Sequence, residues 1–149
     1  MANPRDPYAN QGDSRDTPAR QKAVALRTTL LKLHKTLLDM ERREYERVHG
    51  QVNVGELFRL VVDDPQFAWL HSISEFVVRI DEMLAGEKEV TDVEAHEVVS
   101  LARKMFLPSE TGDAFQKQYF VAIQKDPAVV MEHAELAKLF STEPLDPET

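Results

Sequence analysis

The sequence predicts an all-α protein, built as a bundle of four main helices of which the second and fourth are broken at Asp-Pro. Its 149 residues suit one domain, and only five of them are glycine. Apolar residues recur at spacings of three and four, and no segment alternates apolar and polar residues as a half-buried strand does. Residues that favour helix N-caps precede most of the apolar runs. These patterns favour helices packed around a single core.

The helical domain is expected to span residues 17–140. Residues 1–16 and 141–149 are rich in proline and polar side chains and have almost nothing to bury. We therefore expect a disordered tail on each side of the domain, the second of them acidic.

The first helix is expected to run from the N-cap Thr17 to His49, with Gly50 ending it. Its apolar residues form two stripes about 100° apart on the helix wheel. The first has the spacing of a coiled-coil seam and consists of Leu26, Leu30, Leu33, Leu37 and Met40. The second repeats every seven residues and consists of Val24, Leu31, Leu38 and Tyr45. The other predicted helices are too few and too short to cover both stripes, so we interpret the second as the candidate interface of a two-fold dimer.

The second helix is expected in two parts that meet at Asp64-Pro65. Proline supplies no amide donor and disfavours helical geometry in the residue before it. The first part begins at Asn53, which stands at capping-box distance from Glu56. Its expected apolar face consists of Leu57, Phe58, Leu60 and Val61.

The second part of this helix has the cleanest amphipathic pattern in the chain. It ends at Gly86, which we expect to adopt the left-handed geometry of a helix stop. Its apolar face holds the only tryptophan, Trp69, which we expect to anchor the core. His71 and Glu75 are expected on the solvent side of the same helix.

The third and fourth helices complete the predicted bundle. The third opens with the capping box Thr91-Asp-Val-Glu94 and ends near Phe106. The fourth is expected to be capped by Ser109, broken at Asp126-Pro127 and finished near Phe140.

Charge and composition exclude several classes of function. Residues 1–49 carry ten Lys and Arg against seven Asp and Glu, whereas residues 50–149 carry eight against nineteen, for a net charge of −8. So acidic a chain lacks the basic footprint of a nucleic-acid binder. It has no run of about 18 apolar residues and no apolar leader, so we predict a bacterial-type cytoplasmic protein that does not bind membranes. Without cysteine, disulfides and thiolate chemistry are excluded.

No common catalytic motif occurs in the chain. It has no Gly-rich phosphate loop, nucleophile elbow or H-E-x-x-H helix. Five histidines raise the question of a metal site, because helical bundles build such sites from inward-facing side chains. A di-iron site needs Glu-x-x-His pairs on two facing helices, and the chain does not carry two. We expect only His34 and His133 to point inward, and we predict no catalytic residue, metal ligand or cofactor.

One polar stripe lies between the two apolar stripes of the first helix. It consists of Arg27, His34 and Glu41, which are seven residues apart. Charges at that depth are usually paired with a neighbouring helix, and we expect Arg27 to pair with an acid of the second helix. The alternative is that the stripe belongs to a binding site.

The run FAWLHSISEFVVRIDEML, with the upstream runs YERVHGQV and GELFRLVVDDP, resembles a set of uncharacterised bacterial all-helical proteins. The likeness covers about residues 26–85. It implies a small helical domain of unknown function and supplies no catalytic residues.

Taken together, these patterns predict a non-enzymatic helical module that acts in interaction or structure. We expect it to self-associate as a dimer or to bind a protein partner. The alternative is a small bundle that binds a ligand or metal, or a small enzyme, using the inward-facing His34 and its neighbours.

Overall fold

The computed structural model describes residues 16–142, and every regular element in that range is an α-helix, which confirms the all-α prediction. The helices are α1 (Pro18–His49), α2 (Val54–Asp63), α3 (Pro65–Ala68), α4 (His71–Ala85), α5 (Asp92–Met105), α6 (Ala114–Lys125) and α7 (Pro127–Ser141). Apart from Asp16, Ser141 and Thr142, the two predicted tails lie outside the described residues. Between residues 16 and 142, no helix combines the length and the apolar character that a membrane crossing requires.

Side-chain caps fix where most of these helices begin. The side chains of Thr17 and Asn53 accept hydrogen bonds from backbone N–H groups three residues ahead, at 3.1 and 2.8 Å. Asp64 and Asp126 have extended backbones, and their carboxylates cap α3 and α7, which both begin with proline. The chain therefore starts a new helix directly after each of these two aspartates.

Three expected helix limits are wrong. The part of the second helix that follows Asp64 is interrupted at Trp69 and Leu70, between α3 and α4. The cap of α6 is Asp113 and not Ser109, because Asp113 and Gln116 each bond the backbone N–H of the other in a complete capping box, at 2.8 and 3.0 Å. Ser109 lies in the turn before this cap. Gly86 was expected in the left-handed conformation, but its backbone is extended, at φ −63°, so α4 ends without a left-handed turn. Among the described residues, Gly50 alone has a positive φ, at +86°.

The core is organised around α1, which packs against α4, α5 and α7. The predicted seam is fully buried at Leu26, Leu30, Leu33 and Leu37. The fully buried residues around it include Ile73 and Ile80 of α4, Val99 of α5 and Leu136 of α7. Burying an aliphatic side chain of this size contributes about 1.5–3 kcal/mol, so this seam is a main source of stability.

An aromatic cluster packs beside the aliphatic core. Phe106 and Tyr119 are fully buried, with ring centroids 5.3 Å apart in an edge-to-face arrangement. Phe115 joins them, and Trp69 lies 5.5 Å from Phe115 at the half-buried edge of the cluster. Trp69 therefore packs on the core from its rim and is not its central anchor, because the indole N–H needs a polar partner.

Candidate functional site

The members of the predicted polar stripe contact different parts of the fold. Arg27 forms an ion pair with Asp81 of α4, an acid of the segment expected to be the second helix. The two side chains are partly exposed, at 27% and 41%, so the pair contributes little to stability. His34 Nε2 lies 3.2 Å from the hydroxyl of Ser74.

Glu41, the third member of the stripe, is bonded to α3 and the residue after it. Its Oε2 accepts a hydrogen bond from the indole Nε1 of Trp69 at 2.8 Å. Its backbone oxygen accepts another from Nε2 of Gln66 at 3.1 Å. The stripe thus connects α1 to separate partners and does not converge on one ligand. Within residues 16–142, no three His, Asp or Glu side chains are grouped so that they could hold a metal ion.

His71 is half-buried, although the helix wheel places it on the solvent side. Its Nε2 lies 2.6 Å from the backbone oxygen of Val61. A carbonyl oxygen can only accept, so Nε2 donates this bond. The difference arises because the C-terminal end of α2 lies against the start of α4, which one helix's own periodicity does not reveal.

Burial, and to a smaller extent the charge of His71, lowers the pKa of His34 below its ordinary value.

The stripe predicted as a dimer interface is mostly covered by the chain itself. Val24 and Leu38 are half-buried and pack against the core. Tyr45 is also half-buried and stacks on His49, with ring centroids 4.2 Å apart. Leu31 alone is exposed, at 40%. This stripe offers a second copy less apolar surface than the sequence pattern indicates.

A row of exposed apolar side chains lies on α2. Of the seven described helices, α2 is the one with no buried residue. Val54, Phe58 and Val62 follow one another at four-residue spacing and are 79%, 70% and 51% exposed. We call these three residues the α2 face. No other helix between residues 16 and 142 exposes three large apolar side chains in such a row.

The predicted apolar face of α2 contains Phe58 but neither Val54 nor Val62. Leu57, Leu60 and Val61, the other members of that expected surface, are half-buried. The spacing of Val54 and Val62 around Phe58 is readable in the sequence as the i, i+4, i+8 row of one helix side. That spacing is the signal that could have identified them.

The fold anchors α2 at both ends. Before the helix, Val52 is buried, and its backbone N–H donates to Oε2 of Glu46 at 2.9 Å. The backbone oxygen of Val52 accepts from Nη2 of Arg42, also at 2.9 Å. At the other end, His71 donates to the backbone oxygen of Val61. A free helix of ten residues is marginal in water, so these anchors hold α2 in place while its apolar row stays in contact with solvent.

A shallow groove of about 380 Å³ runs along the opposite side of α2, between the helix and the end of α1. It is lined by Tyr45, Val52, Glu56, Arg59, Leu60, Asp63, Asp64 and Pro65. The lining mixes one guanidinium with three carboxylates, and it contains no histidine. This composition gives the groove no identifiable ligand chemistry.

Comparison with family models, curated proteins and solved structures finds no match to this chain. The resemblance to uncharacterised bacterial proteins therefore stays a prediction.

Proposed function

We propose that this chain is a non-enzymatic helical interaction module that associates with copies of itself through the α2 face. The observation that carries the proposal is the exposed row of Val54, Phe58 and Val62 on a helix that the fold anchors but does not cover. An exposed apolar patch of this size is often functional. In this proposal α2–α4 and α6–α7 act as the second and fourth members of a four-helix bundle, broken at Asp64 and Asp126.

The apolar surface area that the α2 face exposes to water supports the proposal energetically. A phenylalanine side chain buries about 150–250 Å² when fully covered, and Phe58 is 70% exposed. At about 25 cal/mol per Å², covering the exposed part of Phe58 contributes about 3 kcal/mol before the costs of association. The folded chain obtains none of this alone, whereas a complex obtains it on contact.

The alternative, a ligand- or metal-binding bundle that uses His34, has less support. His34, Arg27 and Glu41 each meet a separate partner in the chain's own fold. Their arrangement suits links between helices better than a shared site.

Light scattering coupled to gel filtration tests the proposal over a range of micromolar concentrations. We expect the wild-type mass to rise from 17.0 kDa towards twice that value as concentration rises. Phe58→Asp should hold the mass at the monomer value, because a carboxylate in the contact is costly to desolvate. Met131→Glu is the matched control, since Met131 on α7 is also 70% exposed.

A third variant, Leu31→Glu, distinguishes the α2 face from the stripe that the heptad spacing predicts. We expect Leu31→Glu to associate as the wild type does. A wild-type mass of 17.0 kDa at every concentration would contradict self-association. Loss of association in Leu31→Glu but not in Phe58→Asp would move the interface to α1.

A further inference from the structure

We infer that the partner of the α2 face is the same face of a second copy, so that Phe58 packs next to the partner's Phe58 across a two-fold axis. This inference rests on the proposed function. It adds the partner surface that the α2 face contacts, which the proposed function leaves open.

The first argument is the shape of the α2 face. Val54 and Val62 lie four residues before and after Phe58, so the row is symmetric about the aromatic ring. Rows of residues four apart form the ridges that pack into the grooves of a facing helix in the commonest class of helix packing. A second copy presents the same ridge and the same grooves. The face therefore fits itself, as a two-fold contact requires.

The second argument is the distribution of charge around α2. The chain carries a net charge of −8, which disfavours contact between copies over most of its surface. At about 100° per residue, the carboxylates of Glu56 and Asp63 point about 160° and 140° away from Phe58. Gly55 is the neighbour at about 60°, and the nearest charge on the helix is the cation of Arg59, at about 100°. The contact area is thus free of the acidic side chains of α2.

Arg59 lies about 100° from Phe58, at the boundary between the α2 face and the groove that it also lines, and suits the rim of such a contact. Its side chain is exposed and forms no ion pair or hydrogen bond with another residue of the described range. A guanidinium at the edge of a helix pair can lie over an aromatic ring of the facing helix while its aliphatic stem covers apolar surface. A strongly basic partner surface would instead meet a cation here.

The third argument is size. The three side chains of the α2 face expose a few hundred Å², whereas a standard stable interface buries about 800 Å² on each partner. A contact limited to two crossing helices matches the smaller area. The pair is therefore a weak dimer whose population depends on protein concentration.

Single-cysteine variants of the full chain test this contact, since the chain has no cysteine of its own. Gly55→Cys places a thiol beside Phe58 and leaves the α2 face intact. A Cβ at Gly55 meets nothing nearer than Oδ1 of Asn53 at 3.5 Å, so the substitution causes no clash. Met131→Cys gives an exposed control position on another helix.

The readout is the yield of covalent dimer after treatment with a short bifunctional maleimide, at a concentration where light scattering shows the wild type to be associated. We expect Gly55→Cys to give about tenfold more dimer than Met131→Cys, because pairing raises the local thiol concentration. Adding Phe58→Asp to Gly55→Cys should reduce the yield to that of the control.

Equal yields from Gly55→Cys and Met131→Cys, in chains that still associate, would overturn the inference. They would mean that the α2 face contacts a different part of the second copy, and the proposed function would stand. A chain that never associates would instead remove the proposed function and the inference together.

Discussion

The indole Nε1 of Trp69 donates a hydrogen bond to Oε2 of Glu41 at 2.8 Å, and this bond joins the last third of the long α1 to the segment between α3 and α4. Gln66 adds a second link, to the backbone oxygen of Glu41 at 3.1 Å. The tryptophan is half-buried because one edge of its ring packs on Phe115 while the N–H reaches a carboxylate. These two bonds hold α3 and Trp69 against α1.

Removal of the indole N–H should therefore destabilise the fold even when the aromatic ring is kept. For Trp69→Phe we expect a loss of about 1–3 kcal/mol in the free energy of unfolding, since a hydrogen bond to a charged group is lost and the Glu41 carboxylate keeps the longer bond from Nε2 of Gln66, at 3.5 Å. Urea denaturation followed by far-UV circular dichroism measures it. Glu75→Gln, on the exposed surface of α4, should stay within about 0.5 kcal/mol. Equal midpoints for these two variants would show that the bond does not contribute to the stability of the fold.

Leu30 and Leu31 are neighbours in sequence with opposite surroundings. Leu30 is fully buried in the seam of α1, whereas Leu31 is 40% exposed. We expect Leu30→Ala to cost about 2–5 kcal/mol, because it removes buried contacts and leaves a cavity. Leu31→Ala should cost less than about 1 kcal/mol by the same denaturation measurement. If the order of the two were reversed, the phase of α1 described above would be wrong.

Two histidines should make stability depend on pH below neutrality. Burial lowers the pKa of His133, and burial together with the charge of His71 lowers the pKa of His34. The unfolded chain therefore binds protons at about pH 6.5 that the folded chain binds only at lower pH. Stability should be constant above that range and fall as pH decreases from about 6.5 through the lowered folded-state pKa values.

The measurement for this effect is the urea midpoint as a function of pH between about 7.5 and 5.5. The double variant His34→Gln with His133→Gln should show a flatter dependence than the wild type. Each single variant should fall between the two, since the histidines lie in different parts of the fold. An unchanged slope in the double variant would exclude these two groups as the source.

Asp126 performs two tasks at the start of α7. Its Oδ1 accepts from the backbone N–H of Ala128 at 2.9 Å, and its Oδ2 accepts from Nη2 of Arg43 at 2.7 Å. We expect Asp126→Ala to cost about 1–2 kcal/mol, mainly through loss of the helix cap. Arg43→Ala should cost at most about 1 kcal/mol, because the arginine side chain is 63% exposed. Thermal denaturation of both variants compares the two contributions, and equal losses would assign the stabilisation to the ion pair.

The sequence predicts the buried seam well and the exposure of α2 poorly, for a physical reason. Leu26, Leu30, Leu33 and Leu37 share one side of a long helix, and a row of that length requires neighbours. The pattern around Phe58 shows equally well which residues share a side. It does not show whether another helix reaches that side, since this depends on the direction of the chain after Asp64.

The wrong prediction for His71 has the same cause, a contact between helices. The wrong prediction for Ser109 comes from a local signal that was overlooked. His71 contacts the end of α2 through a turn of the chain that no single-helix wheel contains. Ser109 was a reasonable cap by residue type, but Asp113 and Gln116 have the capping-box spacing in the sequence and form that box in the structure. Among local signals, reciprocal spacing therefore outweighs residue type alone.

The anchors at Val52 and Val61 order α2 before any partner arrives. An encounter with a second chain then needs no folding step, and the rate of association should lie in the ordinary range of about 10⁵–10⁷ M⁻¹s⁻¹ for rigid proteins. Substitutions in the α2 face should act on the rate of dissociation instead. In the proposed dimer, partners would therefore exchange quickly, and pairing would follow changes in the concentration of the chain with little delay.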